Sequence, residues 1–270
     1  MRRLPCVTFC LLVFAAAAFT QEQKEPPTVR DYCVKVERGK GMEFATFGRD
    51  VVVPLNQARV DAGEFAWFLF VRAVVPAGTS AACDYRVVYG YNGLPPESPS
   101  SNQIEAAIKR AKLNMSAKEI SAKRDELSQL VDVGIWYQID FIGPSTQKGS
   151  YVRLNHYNVK PRDMEEWAHL ETTYWKPLVD AWTKAGAKGS WGVYRLWMPE
   201  GDNQPYNALT VDIFADWNSL LQGAPFDLWQ KVHPHIEATE VFDRLDGVRS
   251  RHDIEIYKVL ELVAAKSGSN

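Results

Sequence analysis

Residues Tyr151–Leu220 read YVRLNHYNVKPRDMEEWAHLETTYWKPLVDAWTKAGAKGSWGVYRLWMPEGDNQPYNALTVDIFADWNSL. Tyr151–Val159 alternates as a strand, and Pro161 stands where proline favours the first turn of a helix. Met164, Trp167, Ala168, Tyr174, Trp175, Leu178 and Trp182 then recur at helical spacing until Gly186 supplies a stop. Trp191–Met198 and Tyr206–Ala215 form two strands of a hairpin joined across PEGDNQP. Beyond them Asp216–Ser250 reads as helix interrupted at Gly223-Ala224-Pro225 and Pro234, and Asp253–Leu260 as a closing strand.

An earlier part of the chain repeats this punctuation. At one constant offset Pro54-Leu55 falls on Pro177-Leu178, Ala62-Gly63 on Ala185-Gly186, and Pro76-Ala77-Gly78 on Pro199-Glu200-Gly201. Phe44 and Phe47 fall on Trp167 and Leu170. The predicted elements repeat too: strand Tyr32–Glu37, helix Gly41–Asp61, strands Phe65–Val75 and Cys83–Tyr91, helix Asn102–Leu130, strand Val133–Ile142. The last helix should break near Asn114, where Ser116 and Glu119 have the spacing of a capping box.

Each copy is therefore βαββαβ, the ferredoxin-like unit. Its two helices cover one sheet face, and the other face is too apolar to stay in water. The expectation is α+β: two tandem repeats, 31–145 and 150–263, whose sheets face each other as one intramolecular α/β barrel. The segments WKPLVDAWTKAG, GSWGVYRLWMPEGD and YNALTVDIFADW resemble secreted proteins of the dimeric α/β-barrel superfamily, related to antibiotic-biosynthesis-monooxygenase and NIPSNAP-like groups. The resemblance implies a fused pseudo-dimer. It does not choose among monooxygenases, haem-handling enzymes, isomerases and ligand-binding modules.

Met1–Thr20 has the form of a signal peptide: Arg2 and Arg3, an apolar run over Val7–Phe14, then small residues. Residues 21–30 read as a flexible polar leader, and the mature protein is expected to be exported, periplasmic or extracellular, with no membrane attachment. A disulfide is the default for two cysteines in such a protein. Here Cys33, early in the first strand, and Cys83, at the start of the antiparallel third, are expected at opposite ends, beyond the ~7 Å reach of a bridge. Two unpaired thiols are the expectation.

A net charge of −2 with no basic stripe gives no case for nucleic acid. No hydrolase, P-loop or dinucleotide motif is present. His233-Pro234-His235 lacks further ligands at a telling spacing, and Glu166-x-x-His169 occurs only once, so no metal is expected. No motif implies a cofactor; haem enters only through the resemblance. Most tryptophans fall in the second copy; at helical spacing they read first as packed core, with an aromatic-walled pocket in that half as the functional alternative.

The sharpest lead is polar residues on apolar strands. Leu209, Val211 and Ile213 share one face and Asp212 the other; Ile254 and Ile256 oppose Glu255 and Tyr257. With the apolar faces under the helices, Asp212, Glu255 and Tyr257 point into the barrel; His156, Tyr194 and Arg195, whose faces the pattern leaves open, are candidates to join them. The reading is an exported protein binding a small apolar or aromatic ligand, compatible with a homo-oligomer. The alternatives are a cofactor-independent monooxygenase- or isomerase-type enzyme and a structural protein with a filled barrel.

Overall fold

The computed structural model describes residues 25–143, 146–186, 189–201, 204–222 and 227–264. The expected signal peptide lies outside them. Among the described residues there are eight strands: β1 Thr28–Val36, β2 Trp67–Val75, β3 Tyr85–Tyr91, β4 Ser128–Ile142, β5 Tyr151–Val159, β6 Ser190–Met198, β7 Ala208–Phe214 and β8 Arg249–Ala264. All pairings are antiparallel, and the strands close into a barrel in the order β1-β3-β2-β8-β5-β7-β6-β4. Each half has ferredoxin-like strand order, last-first-third-second, so the expected pair of tandem repeats is what the barrel is made of.

The two long last strands close the ring. β4 pairs with β1 over its first part and with β6 of the other repeat from Ile135 onward. β8 likewise pairs with β5 and then, from Ile256, with β2. This explains why both strands start earlier than the sequence suggests. Ser128–Leu130 and Arg249–Ser250 read in the sequence as the ends of the preceding helices, yet Ser128–Asp132 and Arg249–Arg251 complete the ladder to the first strand of their own repeat. Thr28–Arg30, expected in the leader, likewise open β1.

The helices repeat as well. Residues 41–61 and 161–184 are each a continuous helical run, widened to π-helix at Gly48–Val52 and Glu171–Trp175. These π segments coincide at the offset found in the sequence, just ahead of Pro54 and Pro177. A proline ring and its missing N–H disrupt regular i→i−4 bonding there. The Ser116–Glu119 capping box is present, with a second at Ser100–Gln103.

Separate cores result. Phe44, Phe47, Phe68, Phe70 and Leu127 pack between the first repeat's helices and the outside of its sheet. Trp167, Leu170, Leu178, Trp191 and Trp229 do so in the second. Val29, Val71, Val152, Leu154, Leu209 and Val259 face the barrel interior.

The cysteine expectation is overturned: Cys33 and Cys83 form a disulfide, with Cα atoms 5.2 Å apart. Because β1 begins at Thr28, Cys33 lies in its second half, opposite Arg86 at the start of β3. Cys83 stands just ahead of β3, where the backbone N–H of Asp84 donates to the Val34 carbonyl. The two cysteines thus share one end of the strand pair.

Candidate functional site

The barrel is hollow. A cavity of about 390 Å³ runs through its interior, within the ~300–1,000 Å³ range of small-molecule sites. Both repeats line it: Trp67, Leu69 and Val88 from the first, Leu154, Tyr194 and Val211 from the second. Inward-facing glycines let large rings lie flat on the wall. A Cβ at Gly90 would come within 1.9 Å of the Trp67 ring, and one at Gly192 within 2.7 Å of Tyr194. The tryptophans of the cavity are Trp67 and Trp136, both from the first repeat. Trp167, Trp182, Trp191 and Trp229 of the second are buried in the cores outside the barrel. These tryptophans are helix-packing core, and the alternative of an aromatic-walled pocket in the second copy is not what they form.

One end of the cavity is closed by a buried ionic cluster. The guanidinium of Arg86 donates from Nη1 to Asp31, from Nη2 to Glu255 Oε2 at 2.7 Å, and from Nε to the Tyr257 hydroxyl at 3.0 Å. Tyr257 in turn donates to Glu255 Oε2 at 3.0 Å. All four residues are buried. Asp31, Arg86 and Trp136 also line a pocket of about 20 Å³ on the far side, beside Cys33 and Tyr206.

Burial raises the Asp31 pKa above its ordinary value; Arg86 opposes this and the Glu255 charge adds to it. Burial also works against the Arg86 charge, but Asp31, Tyr257 and Glu255 outweigh it and hold the guanidinium firmly protonated. The Tyr257 phenol is pushed well up, chiefly by burial. One cation thus serves two carboxylates in a site with little water.

The expected site residues divide. Glu255 and Tyr257 point inward as expected, and Tyr194 lines the cavity with its phenol raised by burial. His156 also faces inward but lies beyond the cluster, buried, with Nδ1 2.5 Å from Asp253 and its ring stacked 4.0 Å from Tyr206. Asp212 does not join them. It is on the outer face of β7, held by Arg153 at 2.8 Å and Asn155 at 2.8 Å. Leu209, Val211 and Ile213, expected under the helices, line the cavity. Arg195 is exposed on the outside, with its guanidinium over the Tyr137 ring at 5.2 Å.

The face assignment failed on β7 because both faces are buried, so alternation marks two sides without saying which is inside. Asp31 and Arg86 were missed. The available signal was a lone charge in the apolar run YRVVYGY, where β3 has a buried face on either side. No group of three or more metal-ligating side chains occurs among the described residues. His233 instead sets Nε2 2.8 Å from the Tyr174 carbonyl, and Glu166 pairs with Arg244.

No family model and no curated relative matches the chain. Solved structures do. A candidate monooxygenase from Lactobacillus acidophilus superposes with a TM-score of 0.55 at 12% identity, covering 89% of this chain and 97% of that one. A candidate monooxygenase from Fusobacterium nucleatum gives 0.54 at 11%, covering 89% and 95%. An anthrone oxidase-like protein gives 0.50 at 10%, covering 91% and 95%. At such identities these likenesses concern the fold alone: a barrel of antiparallel strands with helices outside, built here from two ferredoxin-like halves in one chain.

Proposed function

We propose that this protein binds a small, largely apolar ligand inside the barrel. The cavity itself carries the reading: about 390 Å³ of interior space, walled by aliphatic and aromatic side chains and ended by a few polar groups. An interior filled by its own side chains does not describe this barrel. An acid/base enzyme is supported less well, since Asp212 and Arg195 face away from the cavity and Arg86, Glu255 and Tyr257 bond to one another. The described lining offers no histidine, cysteine or methionine, and burial raises the phenols of its tyrosines, Tyr91, Tyr194 and Tyr257, which disfavours the phenolate that would bind iron, so haem is not part of the proposal. Export also belongs to the proposal. The leader-like Met1–Thr20 and the Cys33–Cys83 bridge support it, because disulfides persist in oxidising compartments.

Native mass spectrometry on protein from its own source tests the reading. A small-molecule adduct is expected on the wild type and should be absent from Val88→Trp, which puts an indole into the cavity. An adduct retained equally by Val88→Trp would place the ligand elsewhere and end the proposal.

A further inference from the structure

We propose, resting on the ligand-binding reading above, that the cavity selects neutral ligands over anions and that Glu255 sets this preference. Arg86 is the one basic side chain among the described residues that line the cavity. A free guanidinium at the end of an apolar pocket would be a ready anchor for a carboxylate or sulfonate. This one is not free: each of its three nitrogens already donates inside the protein, to Tyr257, Asp31 and Glu255.

Charge counting gives the same answer. With Asp31 ionised, two carboxylates flank one guanidinium and the cluster carries one net negative charge. With Asp31 protonated the cluster is neutral. In neither state does it present a net cation. An anion entering the cavity would lose its hydration beside that cluster and gain no compensating pair. A neutral ligand loses far less.

Glu255 does not line the cavity. It accepts from Arg86 Nη2 and from the Tyr257 hydroxyl, so it acts through Arg86 by consuming its charge. It is a specificity-determining residue that the ligand never touches. Removing its charge while keeping its shape should turn Arg86 toward the cavity contents. Asp31 would then be the only remaining compensation.

Two fluorescent probes that differ by a single sulfonate test this: N-phenyl-1-naphthylamine, which is neutral, and 1-anilinonaphthalene-8-sulfonate. Titrated into the full chain at neutral pH, each competing with the other, the neutral probe should bind wild type at least about ten-fold more tightly. Glu255→Gln should improve sulfonate binding by about ten-fold and leave neutral-probe affinity unchanged, which a merely structural role for Glu255 would not do. Asp31→Asn/Glu255→Gln should reverse the preference. Glu255→Gln keeps the Asp31–Arg86 pair, so it serves where the double variant fails to fold, and the wild-type ratio needs no variant at all. Equal affinities in wild type, or a ratio unmoved by Glu255→Gln, would overturn the selectivity while leaving the cavity reading intact. Failure of the neutral probe to bind wild type would remove the cavity reading, and the inference with it.

Discussion

Two buried arginine–carboxylate clusters sit on opposite sides of the same barrel wall. Inside, Arg86 holds Asp31 and Glu255 next to a cavity. Outside, Arg153 and Asn155 hold Asp212, whose side chain is only 2% exposed while that of Arg153 keeps 27%. The inner cluster has two carboxylates, one cation and little solvent. Among the described residues the outer one brings one carboxylate together with an arginine and an asparagine donor, the cation being partly wet. Similar chemistry therefore has different settings: the inner arrangement is the one proposed above to set what the cavity accepts, and the outer one ties β5 to β7.

The comparison is broken most severely at Arg86. Arg86→Met leaves two carboxylates buried without their cation, and chemical denaturation should show a loss of about 3–5 kcal/mol. A loss below about 1 kcal/mol would mean that the inner cluster is far wetter than its burial indicates. The disulfide comes next, since Cys33 stands opposite Arg86 and two residues beyond Asp31, and clamps only the inner cluster's strands. Cys33→Ser/Cys83→Ser should cost about 2–4 kcal/mol and loosen Arg86 enough to weaken the neutral-over-anion preference. Unchanged stability under denaturant titration would argue that the bridge is dispensable.

At the outer cluster, Arg153→Met should cost only about 1–2 kcal/mol, because Asn155 still donates to Asp212 and water reaches the site. If its cost matched that of Arg86→Met, the distinction between the two clusters would fail. A pH dependence gives a further test. Tyr89 is pushed from 10.0 up to about 12, chiefly by burial, and Tyr194 and Tyr257 are raised in the same direction. Such phenols stay neutral in the fold after they would ionise in the unfolded chain. Stability should thus be level with respect to these groups below about pH 10 and decline between about 10 and 12, readable as a falling Tm. A rise in Tm over that interval would reverse the assignment.

Much of the fold was legible because its punctuation is chemical. Pro54 and Pro177, Gly63 and Gly186, and the Ser116–Glu119 box mark element ends by backbone rules that tertiary context does not override. Strand ends were not legible where exposed residues such as Gln129–Asp132 pair for ladder bonds rather than burial. The site was half legible for a related reason. Glu255 and Tyr257 were placed inside correctly, whereas the same reasoning put Asp212 inside wrongly. In a barrel wrapped by helices both faces of a strand are buried, so hydrophobic alternation loses its direction. Asp31 and Arg86 needed the register β1–β3, which no local pattern supplies. The cysteine error had the same root: four residues added at the start of β1, Thr28–Asp31, moved Cys33 to the end where Cys83 lies.

The central claim, that the interior is a ligand cavity, is tested most directly by titrating N-phenyl-1-naphthylamine into wild type and into Val88→Trp of equal stability. One saturable site per chain is predicted in wild type, with affinity lowered at least about ten-fold in the variant. Equal binding by both proteins, or no saturable binding by wild type, would contradict it.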